Sequence, residues 1–187
     1  MRNKKLRCLC EGAIMVAIAQ VLGYLKIWHM PWGGSVTLIM LPLVFFAIRW
    51  GLLPGLGAGF ALGILQFLFD GGLAIGWQSI LGDYIFAYAA VGLAGLMHGR
   101  KAAWCTGTVI GGLARLSVHF LVGATVWAEY MPEEFLGMAM SSPWVYSLIY
   151  NLLYMLPNIA VTLIPFAIMA KPLKKYISGA DYQVGNT

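Results

Sequence analysis

Residues 103–127, AWCTGTVIGGLARLSVHFLVGATVW, decide the fold because they form an apolar run of 25 residues. A helix needs about 20 apolar residues to cross a bilayer, with a range of about 17 to 25. Arg115 is the one charged residue of this run, and His119 follows it by one helical turn. A charge near the bilayer centre costs about 2.5 to 3.5 kcal/mol on insertion scales. The run therefore predicts a transmembrane helix that keeps ionisable side chains because it uses them.

Five further apolar segments also predict transmembrane helices, and the amino-acid composition is that of a membrane protein. Of the 187 residues, 60% are hydrophobic and 10% are charged, whereas a soluble domain carries about 25% charged residues. We therefore predict an all-α integral membrane protein with a single domain over residues 1–187. The six predicted transmembrane helices cover residues 9–25, 37–50, 53–69, 77–97, 103–127 and 143–170.

Basic residues lie almost entirely at one set of segment ends. With the N-terminus inside, ten Lys or Arg lie at the inner ends and only Lys26 lies in an outer loop. This excess is the positive-inside signal, so we predict a multi-pass cell-membrane protein with both termini in the cytoplasm. The net charge of +5 is spread over these ends and forms no single surface, so it does not indicate nucleic-acid binding.

Small residues recur at intervals of four in several segments. Gly55, Gly59 and Gly63 do so in the third segment, and such stripes let helix backbones approach closely. We predict that this stripe packs against another helix of the bundle. Ala13 and Ala17 form a similar pair in the first segment, which has a second interpretation as a contact face for a partner protein.

Three polar side chains on different predicted helices lie at one depth. Asp83, His119 and Asn151 are six to eight residues from the outer ends of their helices. At a rise of 1.5 Å per residue, they lie roughly 9 to 12 Å below the outer boundary. Their common level predicts a pocket that opens to the outside.

Aromatic and small residues share helix faces with these polar groups. His119, Gly123 and Trp127 are spaced by four and so lie on one face, where the glycine leaves room for a flat group. Tyr84 follows Asp83 directly. Aromatic faces attract organic cations, and a buried carboxylate balances the charge of such a ligand. The pattern favours a pocket for a flat organic cation.

Each of these residues also has an ordinary structural interpretation. Asp83 can pair with Arg115 and join two helices, since buried charges usually find partners. His119 can act as an interhelical hydrogen-bonding group. Tyr and Trp side chains near the outer boundary can form an aromatic belt. The sequence alone leaves these alternatives open.

Motifs for catalysis or cofactor binding are missing from the sequence. There is no G-x-x-x-x-G-K-[ST] loop, so we do not expect ATP hydrolysis. There is neither H-E-x-x-H nor a Cys/His cluster with metal-ligand spacing. Ser117 and His119 are two residues apart on a helix and point away from one another, which disfavours a hydrolase triad with Asp83. We expect a protein that is not an enzyme and that needs no metal or cofactor.

Four motifs in the order of the chain carry a resemblance to a known family. They are PWGGS at residues 31–35, GDY at 82–84, LARLSVHF at 113–120 and SPWVYSLIYN at 142–151. With them the chain resembles the thiamin-specific substrate-binding subunits of energy-coupling-factor transporters over nearly its whole length. This resemblance implies a six-helix bundle that binds thiamin with high affinity near the outer face of a bacterial plasma membrane.

The resemblance also implies roles for individual residues. In this family an acid of the fourth helix faces the aminopyrimidine of thiamin; it is often Glu there and is Asp83 here. The Trp of the first loop, Trp32, would cover the occupied pocket. The other implied contacts are His119, Gly123, Trp127, Tyr146 and Asn151, and Tyr84 beside the acid is a further candidate.

Transport, by the same resemblance, requires partners: a membrane coupling subunit and two ATP-hydrolysing subunits. In the family an Ala-x-x-x-Ala face of the first helix contacts the coupling subunit, and it corresponds to Ala13 and Ala17 here. The residues alone leave two other functions open. One is a stand-alone proton-coupled transporter of a small organic cation, in which Asp83 carries the proton. The other is an intramembrane enzyme that uses His119 and Asp83; the lack of an inverted repeat and of a complete catalytic set disfavours both.

Overall fold

Six principal helices form the body of the protein. The computed structural model of the chain describes residues 4–30, 34–69 and 74–183. The contact between the third and fourth helices is the most extensive between any two helices of this described part. The helices are α1 (Lys4–Tyr24), α2 (Met40–Trp50), α3 (Leu52–Phe69), α4 (Trp77–Met97), α5 (Ala103–Thr125) and α6 (Pro143–Met169).

Short elements lie in the connections and after α6. In the described part of the chain, two antiparallel hairpins and one 3-10 turn belong to the connections, and two short helices follow α6. These elements are β1 (Trp28–His29) paired with β2 (Ser35–Val36), the 3-10 turn Ala128–Tyr130, β3 (Glu134–Phe135) paired with β4 (Met138–Ala139), α7 (Lys174–Ile177) and α8 (Ala180–Gln183).

The helices have the length and composition of a membrane protein. Within the described residues, five helices (α1, α3, α4, α5 and α6) are long and apolar enough to cross a bilayer. The sixth, α2, has 11 residues and is shorter than a full span. Most of its side chains are buried, so neighbouring helices shelter it. The architecture agrees with the predicted all-α membrane protein, while the number of crossings stays a prediction.

Predicted and observed helix bounds differ most at α1. This helix begins at Lys4, before the predicted start at residue 9, because Lys and Arg are good helix formers and continue the helix beyond the apolar run. The other bounds agree to within three residues. The connection predicted as a loop over residues 26–36 contains the β1–β2 pairing. The loop residue Trp32 lies outside the described residues.

The glycine stripe of α3 packs against α4, as the spacing predicted. A Cβ on Gly63 would lie 2.6 Å from the carbonyl oxygen of Tyr84, and Gly59 meets the carbonyl of Tyr88 in the same way. One turn further, Gly55 faces the backbone of α4 as well. Backbone therefore meets backbone at three successive turns, and α3 fixes the position of α4.

Helix α4 changes its winding along its length. Asp83 lies in a π-helical stretch, whose hydrogen bonds span five residues instead of four and which is frequent at functional sites. The wider turn reduces the rotation between successive residues, so Asp83 and Tyr84 face more nearly the same way. The segments of α4 are α-helical Trp77–Ser79, π-helical Ile80–Phe86, α-helical Ala87–Val91 and 3-10 Gly92–Met97.

Asn158 of α6 anchors the connection between α1 and α2. Its amide nitrogen donates a 2.7 Å hydrogen bond to the carbonyl of Ser35, and its amide oxygen accepts a 3.0 Å bond from the backbone N–H of Thr37. The backbone N–H of Gly34 donates a 3.1 Å bond to the hydroxyl of Tyr150. These bonds hold residues 34–37 against α6.

A charged cluster joins α1, α2 and α8 at the end of the bundle that carries both termini. Arg49, whose side chain is 3% exposed, donates hydrogen bonds of 2.7 Å to Glu11 and 2.6 Å to Asp181. Trp50 stacks on Tyr182 with ring centroids 4.4 Å apart. The hydrogen bond from Arg49 lowers the pKa of Asp181 to about 2. The cluster therefore ties the C-terminal helix to the first two helices.

Candidate functional site

A single cavity brings together the polar residues that the sequence placed at one depth. Its volume is about 210 Å³, and α1, α3, α4, α5 and α6 line it together with residues of the α1–α2 connection. Seven of the eight predicted ligand contacts line this cavity, whereas Trp32 lies outside the described residues. The seven are Asp83, Tyr84, His119, Gly123, Trp127, Tyr146 and Asn151.

Asp83 accepts hydrogen bonds from two side chains of the α5 segment. Its Oδ1 lies 3.0 Å from His119 Nδ1, and its Oδ2 accepts a 2.7 Å bond from the indole nitrogen of Trp127. The Asp83 side chain is 20% exposed. A carboxylate has about four acceptor sites, and in the described part of the chain these two bonds occupy two of them. The carboxylate can therefore accept further bonds from a ligand.

Arg115 is directed toward His119 rather than toward Asp83. Its Nε donates a 3.3 Å bond to His119 Nε2, and its guanidinium carbon lies 4.3 Å from the ring centroid of Tyr88. Because Nε2 accepts this bond, the proton of a neutral His119 lies on Nδ1 and is donated to Asp83. The direct Asp83–Arg115 pair considered from the sequence is not the arrangement found. His119 links the two charged groups instead, and it joins α4 to α5 as an interhelical hydrogen-bonding group does.

Asn151 is held in one orientation by neighbours on α6. Its amide nitrogen donates a 2.8 Å bond to the carbonyl of Ser147, and its amide oxygen accepts a 2.7 Å bond from the hydroxyl of Tyr154. Ser147 in turn donates a 2.8 Å bond to the carbonyl of Phe120 on α5. A Cβ on Gly123 would lie 3.3 Å from Asn151 Nδ2. The glycine thus lets α6 approach α5 at the wall of the cavity.

Tyrosines of α6 form an aromatic wall. Tyr146, Tyr150 and Tyr154 are spaced by four, and the ring centroids of successive members are 5.7 and 5.9 Å apart. Tyr84 of α4 and Trp127 also line the cavity. Aromatic faces carry partial negative charge and attract cations. The cavity therefore combines one carboxylate with several aromatic side chains.

The cavity has the chemistry of a binding site. Among the described residues, no group of three or more His, Cys, Asp or Glu side chains is arranged to hold a metal ion. Ser117, the nucleophile of the hydrolase considered from the sequence, is exposed and donates its hydroxyl to the carbonyl of Leu113. It therefore does not form a triad with His119 and Asp83.

Several lining residues were not identified from the sequence. They are Gln66 of α3, Ser147 and Tyr154, which line the cavity. Arg115, which the sequence had singled out as a charge within the membrane, also lines the cavity. An amide within an apolar helix is a usable signal, since an unsatisfied polar group is costly in lipid. Helical spacing within one segment does not show which neighbouring helix such a group faces, and so these residues were missed.

Ala13 and Ala17 lie away from the cavity. Both are exposed on α1, whose buried residues are Gly12, Val16 and Ala19. The alanine pair is thus not used in packing within the described part of the chain. Its proposed contact with a partner stays a prediction.

Known proteins match this chain along most of its length. Residues 9–178 match the family described as Thiamine transporter protein (Thia_YuaJ). The Thiamine transporter ThiT of Bacillus subtilis (strain 168) is 32% identical over 183 residues, which cover 90% of this chain and 92% of that protein. The Thiamine transporter ThiT of Lacticaseibacillus paracasei is 31% identical over 171 residues, which cover 80% of each chain.

A solved structure has the same fold. ThiT from Listeria monocytogenes superposes with a TM-score of 0.82 and 24% sequence identity, covering 94% of this chain and 99% of that one. This likeness confirms the predicted all-α membrane fold. The family match and the two relatives above 30% identity assign the chain to a family as well as to a fold. The chain is a multi-pass membrane protein that belongs to the Thia_YuaJ family of thiamine transporters.

Proposed function

We propose that this protein captures thiamin in the cavity, as the substrate-binding subunit of an energy-coupling-factor vitamin importer. The observation that carries the proposal is the Asp83 carboxylate, which lies in the cavity wall and is held by His119 and Trp127. Membership of a thiamine transporter family supports thiamin as the ligand.

Thiamin suits the cavity in charge and in hydrogen-bonding groups. It joins a permanently cationic thiazolium ring to an aminopyrimidine, whose amino group can donate to the remaining acceptor sites of Asp83. A carboxylate and a cation buried together avoid the cost of leaving either charge unpaired in the protein interior. Asp83 therefore serves as both the counter-ion and the anchor of the pyrimidine.

Aromatic side chains suit the thiazolium ring. A cation within about 6 Å of a ring centroid gains roughly 0.5 to 2 kcal/mol. Trp127, Tyr84 and Tyr146 line the cavity from three different segments, so their rings enclose a flat ligand from several sides. We assign Trp32 the role of covering the occupied cavity on the basis of the family resemblance.

Arg115 leaves the carboxylate available although it brings a positive charge to the same cavity. Its guanidinium lies over the ring of Tyr88 and is bonded to His119. The positive charge is therefore directed to an aromatic face and a neutral imidazole. The carboxylate of Asp83 is therefore bonded to His119 and not directly to Arg115, so that it can face the cationic ligand.

The surface of α1 supports the proposed docking to a membrane coupling subunit that works with two ATPase subunits. Ala13 and Ala17 are exposed, and so are Ile14, Ile18 and Val21 on the same helix. Small residues on an apolar helix face allow the close approach of a second transmembrane helix. This face therefore suits a helical partner within the membrane.

The distribution of basic residues supports an orientation with both termini in the cytoplasm. The charged cluster around Arg49 joins the beginning and the end of the chain at one end of the bundle. Most Lys and Arg residues of the sequence belong to that end. The cavity, near the other end, then opens toward the outside.

Ligand titration of the purified protein tests the proposal. Tryptophan fluorescence is recorded while thiamin, thiamin monophosphate or the free aminopyrimidine fragment is added. We expect saturable quenching by thiamin at a lower concentration than by the aminopyrimidine fragment, since thiamin offers both rings. A protein that thermal unfolding shows to be folded but that does not bind thiamin saturably would overturn the proposal.

A further inference from the structure

A second polar group lines the cavity apart from the cluster around Asp83. Gln66 of α3 is only 6% exposed, and it lines the cavity together with Gly23 of α1 and Ile39. A Cβ on Gly23 would come within 2.9 Å of Gln66 Nε2 and 3.0 Å of Ile39 Cδ1. Because Gly23 has no side chain, the amide of Gln66 stays close to α1 without being displaced.

The orientation of the Gln66 amide is fixed by two hydrogen bonds. Its Oε1 accepts a 3.2 Å bond from the hydroxyl of Tyr88, and its Nε2 donates a 2.9 Å bond to Gln20 Oε1 on α1. A primary amide has two N–H donors and two acceptor lone pairs. Over residues 4–30, 34–69 and 74–183, one donor and one lone pair of Gln66 are therefore left for a ligand.

We propose that Gln66 binds the alcohol group of the hydroxyethyl arm of thiamin; this inference rests on the proposed function. An alcohol both donates and accepts, which matches the donor and the lone pair that Gln66 retains. The amino group of the pyrimidine has a stronger partner in the carboxylate of Asp83, since hydrogen bonds to charged groups are the stronger ones. The alcohol is attached to the thiazolium ring, apart from the amino group of the pyrimidine, and Gln66 is a buried amide of the cavity wall that retains both a donor and a lone pair among the described residues.

Gln66 thereby becomes a specificity-determining residue. A site built to hydrogen-bond a hydroxyl group rejects an analogue that lacks it, because the buried amide would lose its partner. Gln66 then determines the preference for thiamin over such an analogue, while the cluster around Asp83 binds the two rings.

The test measures the dissociation constants of thiamin and of its deoxy analogue, in which an ethyl group replaces the hydroxyethyl arm. Wild type, Gln66→Leu and Gln78→Leu are compared by tryptophan fluorescence. Gln78→Leu is the matched control, because Gln78 is an exposed glutamine of α4 that does not line the cavity. Gln66→Met serves as a second variant if the leucine variant is unstable.

We expect wild type to prefer thiamin about tenfold over the deoxy analogue, the size of one net hydrogen bond. Gln66→Leu should lose this preference because it weakens the binding of thiamin and not that of the deoxy analogue, and Gln78→Leu should keep the preference. An unchanged preference in Gln66→Leu, equal weakening of both ligands, or loss of the preference in Gln78→Leu as well would overturn the inference. None of these three results affects the proposed function, which fails only if wild type does not bind thiamin.

Discussion

The indole nitrogen of Trp127 donates a 2.7 Å hydrogen bond to Asp83 Oδ2. The donor lies just beyond the end of α5 and the acceptor lies in the π-helical part of α4. In the proposed complex, Trp127 would hold the carboxylate that balances the cationic ligand and would also offer an aromatic face to that ligand. The proposal therefore couples charge neutralisation to stacking through this bond, and the first two predictions concern its two members.

Asp83→Asn should weaken thiamin binding about 10- to 100-fold. The change keeps the shape of the side chain but removes its charge, and a hydrogen bond to a charged group contributes about 1.5 to 3 kcal/mol. Isothermal titration calorimetry gives the dissociation constant. Glu129→Gln, at an exposed acid that does not line the cavity, should bind as wild type does. An Asp83→Asn protein with wild-type affinity would contradict the assigned role.

Trp127→Phe should weaken thiamin binding about fivefold to tenfold. Phe keeps an apolar ring but removes the hydrogen bond to Asp83, and it is a weaker partner for cations than Trp. The ligand-induced fluorescence change should also shrink, because Trp127 lines the cavity. Trp77→Phe is the control, since Trp77 is 68% exposed. If Trp77→Phe rather than Trp127→Phe removes the fluorescence response, the ligand does not bind beside Trp127.

Gly123→Ala should reduce thiamin affinity at least tenfold. The added methyl group would press against the Ser147 hydroxyl and come within 3.3 Å of Asn151 Nδ2, so α6 must shift at the cavity wall. Overpacking of this kind costs about 1 to 3 kcal/mol. Gly57→Ala, where a Cβ meets nothing within 4 Å, should leave affinity unchanged and slightly raise the midpoint of thermal unfolding. Equal thiamin affinity of Gly123→Ala and Gly57→Ala would show that the close approach of α6 to α5 at Gly123 is not needed for binding.

The double substitution Ala13→Trp with Ala17→Trp should abolish thiamin uptake in cells that express the coupling module, while the purified variant binds thiamin normally. Both positions are exposed on α1, so large side chains there obstruct a docking partner without entering the cavity. Ala160→Trp, at an exposed position of α6, controls for a bulky residue facing lipid. Normal uptake by the double variant would show that the coupling subunit docks elsewhere.

Asp181→Asn should lower the free energy of unfolding by about 2 kcal/mol at neutral pH, because it leaves the buried Arg49 with one carboxylate fewer. The hydrogen bond from Arg49 lowers the pKa of Asp181 to about 2, below the value of about 3.9 in the unfolded chain. The stabilisation is therefore complete above about pH 4 and is lost as the pH falls toward 2.

The measurement is thermal unfolding of wild type and Asp181→Asn over a series of pH values. The difference between the two midpoints should be constant from pH 7 to about pH 5 and should narrow below pH 4. Lys171→Ala, at an exposed residue before α7, should unfold as wild type does at every pH. A difference that widens on acidification would contradict the assigned pairing of Asp181 with Arg49.

Apolar run length was sufficient to predict the principal helices, because a backbone in lipid must satisfy its hydrogen bonds within the segment. The common depth of Asp83, His119 and Asn151 followed from the rise of a helix, and the structure places all three at one cavity. The roles of these residues in ligand binding stay predictions until the titrations are made.

Contacts between helices were harder to predict. Rotation of one helix against another decides whether Arg115 meets Asp83 or His119, and periodicity along one segment does not fix that rotation. The π-helical stretch around Asp83 was not predicted from the sequence. Gln66 was overlooked for the same reason, since its neighbours Tyr88 and Gln20 come from two other helices.

The contact of α3 with α4 restricts how this scaffold can acquire new ligands during evolution. Any side chain larger than hydrogen at Gly59 or Gly63 would push the backbone that carries Asp83. Single substitutions at this contact are therefore expected to disturb the site. Gly123 of α5 instead meets side chains of α6, and side chains can be replaced where a backbone cannot. Descendants with altered vitamin preference should therefore retain the α3–α4 glycines and differ mainly on the opposite wall.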